Sequence, residues 1–179
     1  MTMLLLKEVP KYECLLESSK RYPELDPSAM EAFLSLMRTN TELTEAFGAL
    51  HASHNISHGR FIVLMLLNRD PEKPVNPADL ADRANVTRAT ITGLIDTLER
   101  DGLVKREHTL DDRRMMLVRL TAEGRGYFDK ILPDYFRQVA AVMSQLTPDE
   151  RKILVSLMGK IQQSLPAIFA GPLPKSTDA

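Results

Sequence analysis

The chain has 179 residues, 44% hydrophobic and 26% charged, and its 23 Lys and Arg against 24 Asp and Glu leave a formal net charge of -1. That length supports one core, or one core and a smaller satellite, without staples, and the single cysteine, Cys14, cannot close an internal disulfide. No signal-peptide pattern opens the chain, and its longest apolar run, Phe61 to Leu67, falls far short of the roughly 20 residues that cross a bilayer, so a cytoplasmic protein is expected and a membrane-spanning one is excluded.

Residues 1–26, broken by Pro10 and Pro23, read as an arm in which Tyr12 to Ser19 can form a short helix. Asp26 and Pro27 suit the cap and first position of a long helix, because Met30, Phe33, Leu34, Met37, Leu43, Ala46, Phe47 and Leu50 recur at helical spacing. Asn55 to Ser57 interrupts it, and Ser57 caps a second helix carrying Phe61, Ile62, Leu64, Met65 and Leu67. After a loop from Arg69 to Pro74, Asn76, Pro77 and Asp79 start a helix of about two turns that ends at Asn85 and Val86. Thr87 caps the next helix, in which Ile91, Leu94, Ile95 and Leu98 form one apolar face until Gly102 stops it. Val104 to Thr109 and Met116 to Leu120 flank a charged turn and predict a β-hairpin. Thr121 caps a further helix, expected to bend near Pro133. Thr147 and Glu150 form a capping box for a final helix bearing Ile153, Leu154, Leu157, Met158, Ile161 and Leu165, and the tail from Pro166 is expected to be extended.

The order of short helix, tight turn, helix and charged hairpin is that of a winged helix-turn-helix. A near-neutral chain has no global field to attract nucleic acid, although residues 83–119 hold eight bases against six acids. With Ile91, Leu94, Ile95 and Leu98 turned inward, Thr87, Arg88, Ala89, Thr90, Thr92 and Gly93 remain at the other side of the second helix. Small and hydrogen-bonding side chains there allow close approach to a major groove, with Arg88 able to reach guanine and threonine methyls to reach thymine. The same residue types also suit a solvated helix face. An arginine at a hairpin tip can enter the electronegative minor groove while an adjacent aspartate orients it, the relation that Asp112 and Arg114 have.

The run DRRMMLVRLTAEG from Asp112 to Gly124 resembles the Asp-x-Arg wing signature of the MarR family of bacterial transcriptional regulators. LADRANVTRATITGLIDTLERDGLV resembles that family's two DNA-binding helices, NISHGRFIVLMLL its second helix and TPDERKILVSLM its last, so the likeness spans about residues 28 to 165. The arm ending in RYPELDP resembles multidrug-efflux repressors of the EmrR type. The resemblance implies a mainly α fold with a small β-hairpin wing: an arm at 1–26, a helical dimerisation region at 27–68 and 121–165, a winged helix-turn-helix DNA-binding domain at 69–120 and a tail at 166–179. It implies double-stranded DNA as partner, with Arg114 at the wing tip, Asp112 beside it, and Arg113, Lys105 and Arg106 as phosphate contacts. It also implies a homodimer on a pseudo-palindromic operator, usually as a repressor.

Many members of the family release DNA when an aromatic or phenolic acid enters a cleft beside the dimerisation helices, which here implicates Phe47, His51, His58, Phe61 and Ile62, residues that equally suit an ordinary core. His51, His54 and His58 lie within eight residues, but a predicted turn separates them and no cysteine is near, so no metal is assigned and zinc sensing stands as a secondary reading. Redox sensing through the Cys14 thiol is another, and a wing that contacts protein or RNA in place of duplex DNA is a third. No cofactor is expected, and the absence of a glycine-rich phosphate loop, nucleophile elbow or metalloprotease motif argues against an enzyme.

Overall fold

The computed structural model describes residues 9–108 and 116–169. Seven helices and a hairpin follow in the order α1 (Tyr12–Arg21), α2 (Pro27–Ser53), α3 (His58–Asn68), α4 (Pro77–Ala84), α5 (Arg88–Arg100), β1 (Val104–His108), β2 (Met116–Leu120), α6 (Ala122–Val142) and α7 (Pro148–Phe169). The fold is mainly helical with a two-stranded antiparallel wing, as the sequence predicts. Among the described residues no helix is long and apolar enough to cross a membrane.

Local chemistry explains most boundaries. The Asp26 carboxylate accepts from the Ser28 and Ala29 amides at 2.8 and 3.1 Å, and the bonds from Ser28 and Ala29 hold its pKa below the ordinary value. At α7 the Thr147 amide donates to Glu150 at 2.7 Å while the Glu150 amide donates back to Thr147 Oγ1 at 3.3 Å. Asn55 and Asn85 end α2 and α4 in the left-handed conformation, and Gly102, at φ +73°, does so after α5. There the Gly102 and Leu103 amides donate to Glu99 and Leu98 at 2.9 Å each, satisfying carbonyls the helix leaves open.

Helix α6 runs through Pro133 without ending there. One proline sits differently from expectation: α7 continues past Pro166 to Phe169, where the sequence predicts an extended tail. Proline removes one N–H and crowds the carbonyl four residues back, but Pro166 lies in the last turn, where an exposed carbonyl can turn to water.

The described residues form two compact units, the first made of those up to 45 and those from 140 onward, the second of those between 46 and 139. The second contains the core: Phe61, Val63, Leu64 and Leu67 of α3 pack with Leu80 of α4, Ile91, Ile95 and Leu98 of α5, Val104, Val118 and Leu120 of the hairpin, and Phe128 and Ile131 of α6. Each large apolar side chain removed from water there contributes about 1.5–3 kcal/mol. Val75 forms a bridge with Val118 through bonds of 2.8 and 2.9 Å, anchoring the loop before α4 to the wing. In the first unit only Leu15 of α1 is buried among the described residues. The start of α2 and α7 there line an open apolar groove of about 530 Å³ with Phe33, Leu36, Leu154, Leu157, Met158 and Ile161.

Candidate nucleic-acid interface and aromatic cluster

Helix α5 is held by its inner face and open on its outer one. Ile91, Ile95 and Leu98 are buried, Leu94 is half-buried, and Thr87, Arg88, Ala89, Thr90, Thr92 and Gly93 are all exposed. Thr87 caps the helix by accepting from the Thr90 amide at 3.2 Å, and the two threonine hydroxyls lie 2.9 Å apart. The Thr92 hydroxyl donates to the Arg88 carbonyl at 2.8 Å. Nothing lies within 4 Å of where a Gly93 side chain would begin, so the helix surface is flat there. Arg88 makes no ion pair among the described residues, which leaves its guanidinium available.

The hairpin strands pair Val104 with Leu120, Lys105 with Arg119 and Arg106 with Val118. Since neighbouring residues on a strand face opposite ways, Val104 and Arg106 share the side that meets the core, while Lys105 and Glu107 face away. Lys105 is exposed and 3.8 Å from Glu107. Arg106 is only 22% exposed and its guanidinium is bonded to Asp96, at 2.5 Å, and to Glu99, both on α5. Partial burial works against its charge, and the bonds from the two carboxylates outweigh this and raise its pKa. On the other side of the wing, Arg125 donates to Glu72 at 2.8 Å, which holds that carboxyl below its ordinary range. Asp112, Arg113 and Arg114 lie outside the described residues.

A second group of implicated residues gathers around the end of α2. His51 is 2% exposed, with its ring centroid 4.5 Å from Phe61 and 5.2 Å from exposed His58. Phe61 also meets Tyr135 at 4.9 Å and Phe128 at 5.4 Å, and half-buried Phe47 meets Tyr135 at 5.4 Å with the rings tilted by 60°. Ile62 is half-buried at the edge of the core. Sequence reasoning does not single out Phe128 and Tyr135, although Phe128, Ile131 and Tyr135 recur at helical spacing in α6 and carry the signal. His54 pairs with Asp134 at 3.0 Å, and Tyr127 donates to the His54 carbonyl at 2.6 Å. Arg60 donates to Asp101 at 2.5 Å, tying the start of α3 to the end of α5. Among the described residues no group of three or more His, Cys, Asp or Glu is placed to hold a metal ion. Cys14 is exposed, the third residue of α1.

Both ring nitrogens of His51 are buried and, among the described residues, have no hydrogen-bond partner. Loss of water, then the neighbouring charges of His58 and His54, hold its pKa below the ordinary 6.5. The neutral ring is therefore the folded form, and the unfolded chain binds the proton more readily. Stability from this group is complete above the ordinary value and is lost as pH falls through it towards the lower folded-state pKa. Replacing His51 by Phe keeps the ring packing and removes the proton site. The difference in thermal midpoint between His51→Phe and the wild type should grow in the variant's favour between about pH 7 and about pH 5. Parallel pH profiles for the two proteins would show that His51 is not neutral by burial.

The MarR family model matches residues 56–116. Over 160 residues the chain is 36% identical to the HTH-type transcriptional repressor YetL of Bacillus subtilis (strain 168), covering 89% of this chain and 96% of that protein. The fold is similar to that of the transcriptional repressor CouR bound to a 23-mer DNA duplex, with TM-score 0.64 and 26% identity over 72% of this chain and 90% of that one. It is also similar to NadR in complex with 4-hydroxyphenylacetate, with TM-score 0.60 and 25% identity over 72% of this chain and 89% of that one.

Proposed function

The chain belongs to the MarR family of transcriptional regulators, and from that membership we propose that it is a repressor that binds a pseudo-palindromic operator as a homodimer and releases it on binding a small aromatic acid. The observation that carries the DNA-binding reading is the exposed surface from Thr87 to Gly93, presented by a helix whose other face is anchored in the core. A short, flat, hydrogen-bonding surface on a rigid helix suits the major groove. Residues 69–120 form the reading module, with Lys105 and Arg113 on phosphates and Arg114, steadied by Asp112, in the minor groove. Segments 27–68 and 121–165 form the dimerisation region, and a regulator of this kind works beside the chromosome in the cytoplasm.

The effector reading draws on the aromatic cluster of Phe47, His51, Phe61 and Tyr135, together with the 4-hydroxyphenylacetate complex of the similar NadR fold. Exposed His58 borders that cluster, and Ile62 follows Phe61 on α3, half-buried against the core. A ligand releases DNA only to the extent that it prefers the conformation in which the recognition helices are wrongly spaced.

Fluorescence anisotropy of the protein on a duplex from its own upstream region, beside a scrambled duplex and at several salt concentrations, tests this reading. Specific, steeply salt-dependent binding is expected, relieved by phenolic acids. Arg114→Ala should weaken operator binding by about 1–3 kcal/mol, the usual scale of a lost groove contact. Equal weak binding of both duplexes by the wild type, or full affinity in Arg114→Ala, would count against the operator or the wing assignment respectively.

A further inference from the structure

We propose that Arg106 is a positioning residue, which locks the wing to the recognition helix and so sets the spacing of the two DNA-reading elements, rather than a contact to the DNA backbone. The proposal rests on the DNA-regulator reading above. Period-two alternation puts Arg106 on the same side of β1 as buried Val104, so its side chain points at α5 and away from solvent. There it meets two carboxylates one turn apart. Its backbone amide donates to Glu99 Oε1 at 2.9 Å, while its guanidinium donates to Glu99 Oε2 and, at 2.5 Å, to Asp96 Oδ1. A planar guanidinium engaged by two acids, with its own amide bonded to one of them, fixes direction as well as distance, which a single flexible ion pair does not.

Both DNA-reading elements depend on that bracket. In sequence β1 and β2 flank the charged segment between them, so whatever orients the two strands against α5 also orients the strand ends that segment joins. Asp96 also lies four and eight residues beyond Thr92 and Arg88, on the same helical stripe. With Arg106 in place the charge of Asp96 is compensated.

The test uses full-length wild type, Arg106→Ala, the neutral pair Asp96→Asn with Glu99→Gln, that pair combined with Arg106→Ala, and the exchange Arg106→Glu with Glu99→Arg. Anisotropy is read on the upstream and scrambled duplexes across salt. Thermal melting and hydrogen exchange of the Arg106 amide are followed without DNA. Positioning predicts that the neutral pair weakens operator binding about tenfold although it removes two negative charges, and that adding Arg106→Ala costs little more. It predicts an unchanged salt slope, unchanged scrambled-duplex affinity, reduced Arg106 amide protection in the neutral pair, where the acceptor at 99 is an uncharged amide oxygen, and partial recovery of operator affinity in the exchange.

A phosphate contact gives the opposite pattern and would overturn the proposal: wild-type or tighter binding by the neutral pair, a shallower salt slope in Arg106→Ala, and no recovery in the exchange. Loss of affinity for both duplexes in step with a lowered melting midpoint would also overturn it, by reducing Arg106 to a folding role. Should the wild type fail to discriminate the duplexes, the DNA reading falls and the positioning role with it. Retained amide protection would then show that the bracket itself exists.

Discussion

Replacing Gly124 by alanine is expected to destabilise the protein by about 3 kcal/mol or more, at the upper end of what overpacking causes. A side-chain carbon there would lie 1.8 Å from the Leu103 carbonyl oxygen and 2.7 Å from its carbonyl carbon. Those atoms are backbone, and the same oxygen accepts the Thr121 amide at 3.1 Å, so it cannot withdraw without breaking the join between the hairpin and α6. Gly126, two residues along the same helix, has nothing within 4 Å and provides the control. Gly126→Ala should be neutral or stabilising by up to about 1 kcal/mol, since alanine is the better helix former. Urea unfolding of the two variants measures the contrast, and similar midpoints would show that the hairpin and α6 are not packed as closely as described.

Introducing glutamate at both Leu157 and Ile161 is expected to yield a monomer and weaken operator binding about 100-fold or more, because the second half-site then no longer benefits from linkage to the first. The first unit has almost no buried apolar side chain of its own, while Ile153, Val155, Leu157 and Ile161 of α7 are 58%, 72%, 49% and 43% exposed. Uncovered apolar surface of that extent beside an apolar groove suits an interface, and in the proposed homodimer a second copy related by two-fold symmetry would cover it. Light scattering checks the mass and anisotropy checks the affinity. A monomeric variant with wild-type operator affinity would remove the two-half-site geometry from the proposed function.

Features of the fold differ in how visible they are in the sequence. The starts of α2 to α7 are legible, because Asp26, Ser57, Asn76, Thr87, Thr121 and the Thr147 and Glu150 pair act within three residues of themselves. The inner and outer faces of α5 are legible for the same reason, since Ile91, Ile95 and Leu98 sort to one side by periodicity alone. The direction of Arg106 is available too, through alternation from Val104, but a basic residue beside a wing reads first as a phosphate contact. What the carboxylates of Asp96 and Glu99 do to it becomes visible only once β1 is laid against α5.

The helical register, the helix-turn-helix and hairpin order, and the exposed outer face of α5 can be read from the sequence alone, because each depends on backbone geometry and on side chains within about four residues. Only the tertiary structure decided how the polar side chains are partnered: Arg60 with Asp101, 41 residues away, and His54 with Asp134, 80 residues away. It likewise decided that His51 is enclosed beside Phe61, while α7 remains uncovered. The reason is physical. Burial and pairing of a charged or titratable group depend on which distant surface closes over it, and no local pattern carries that information.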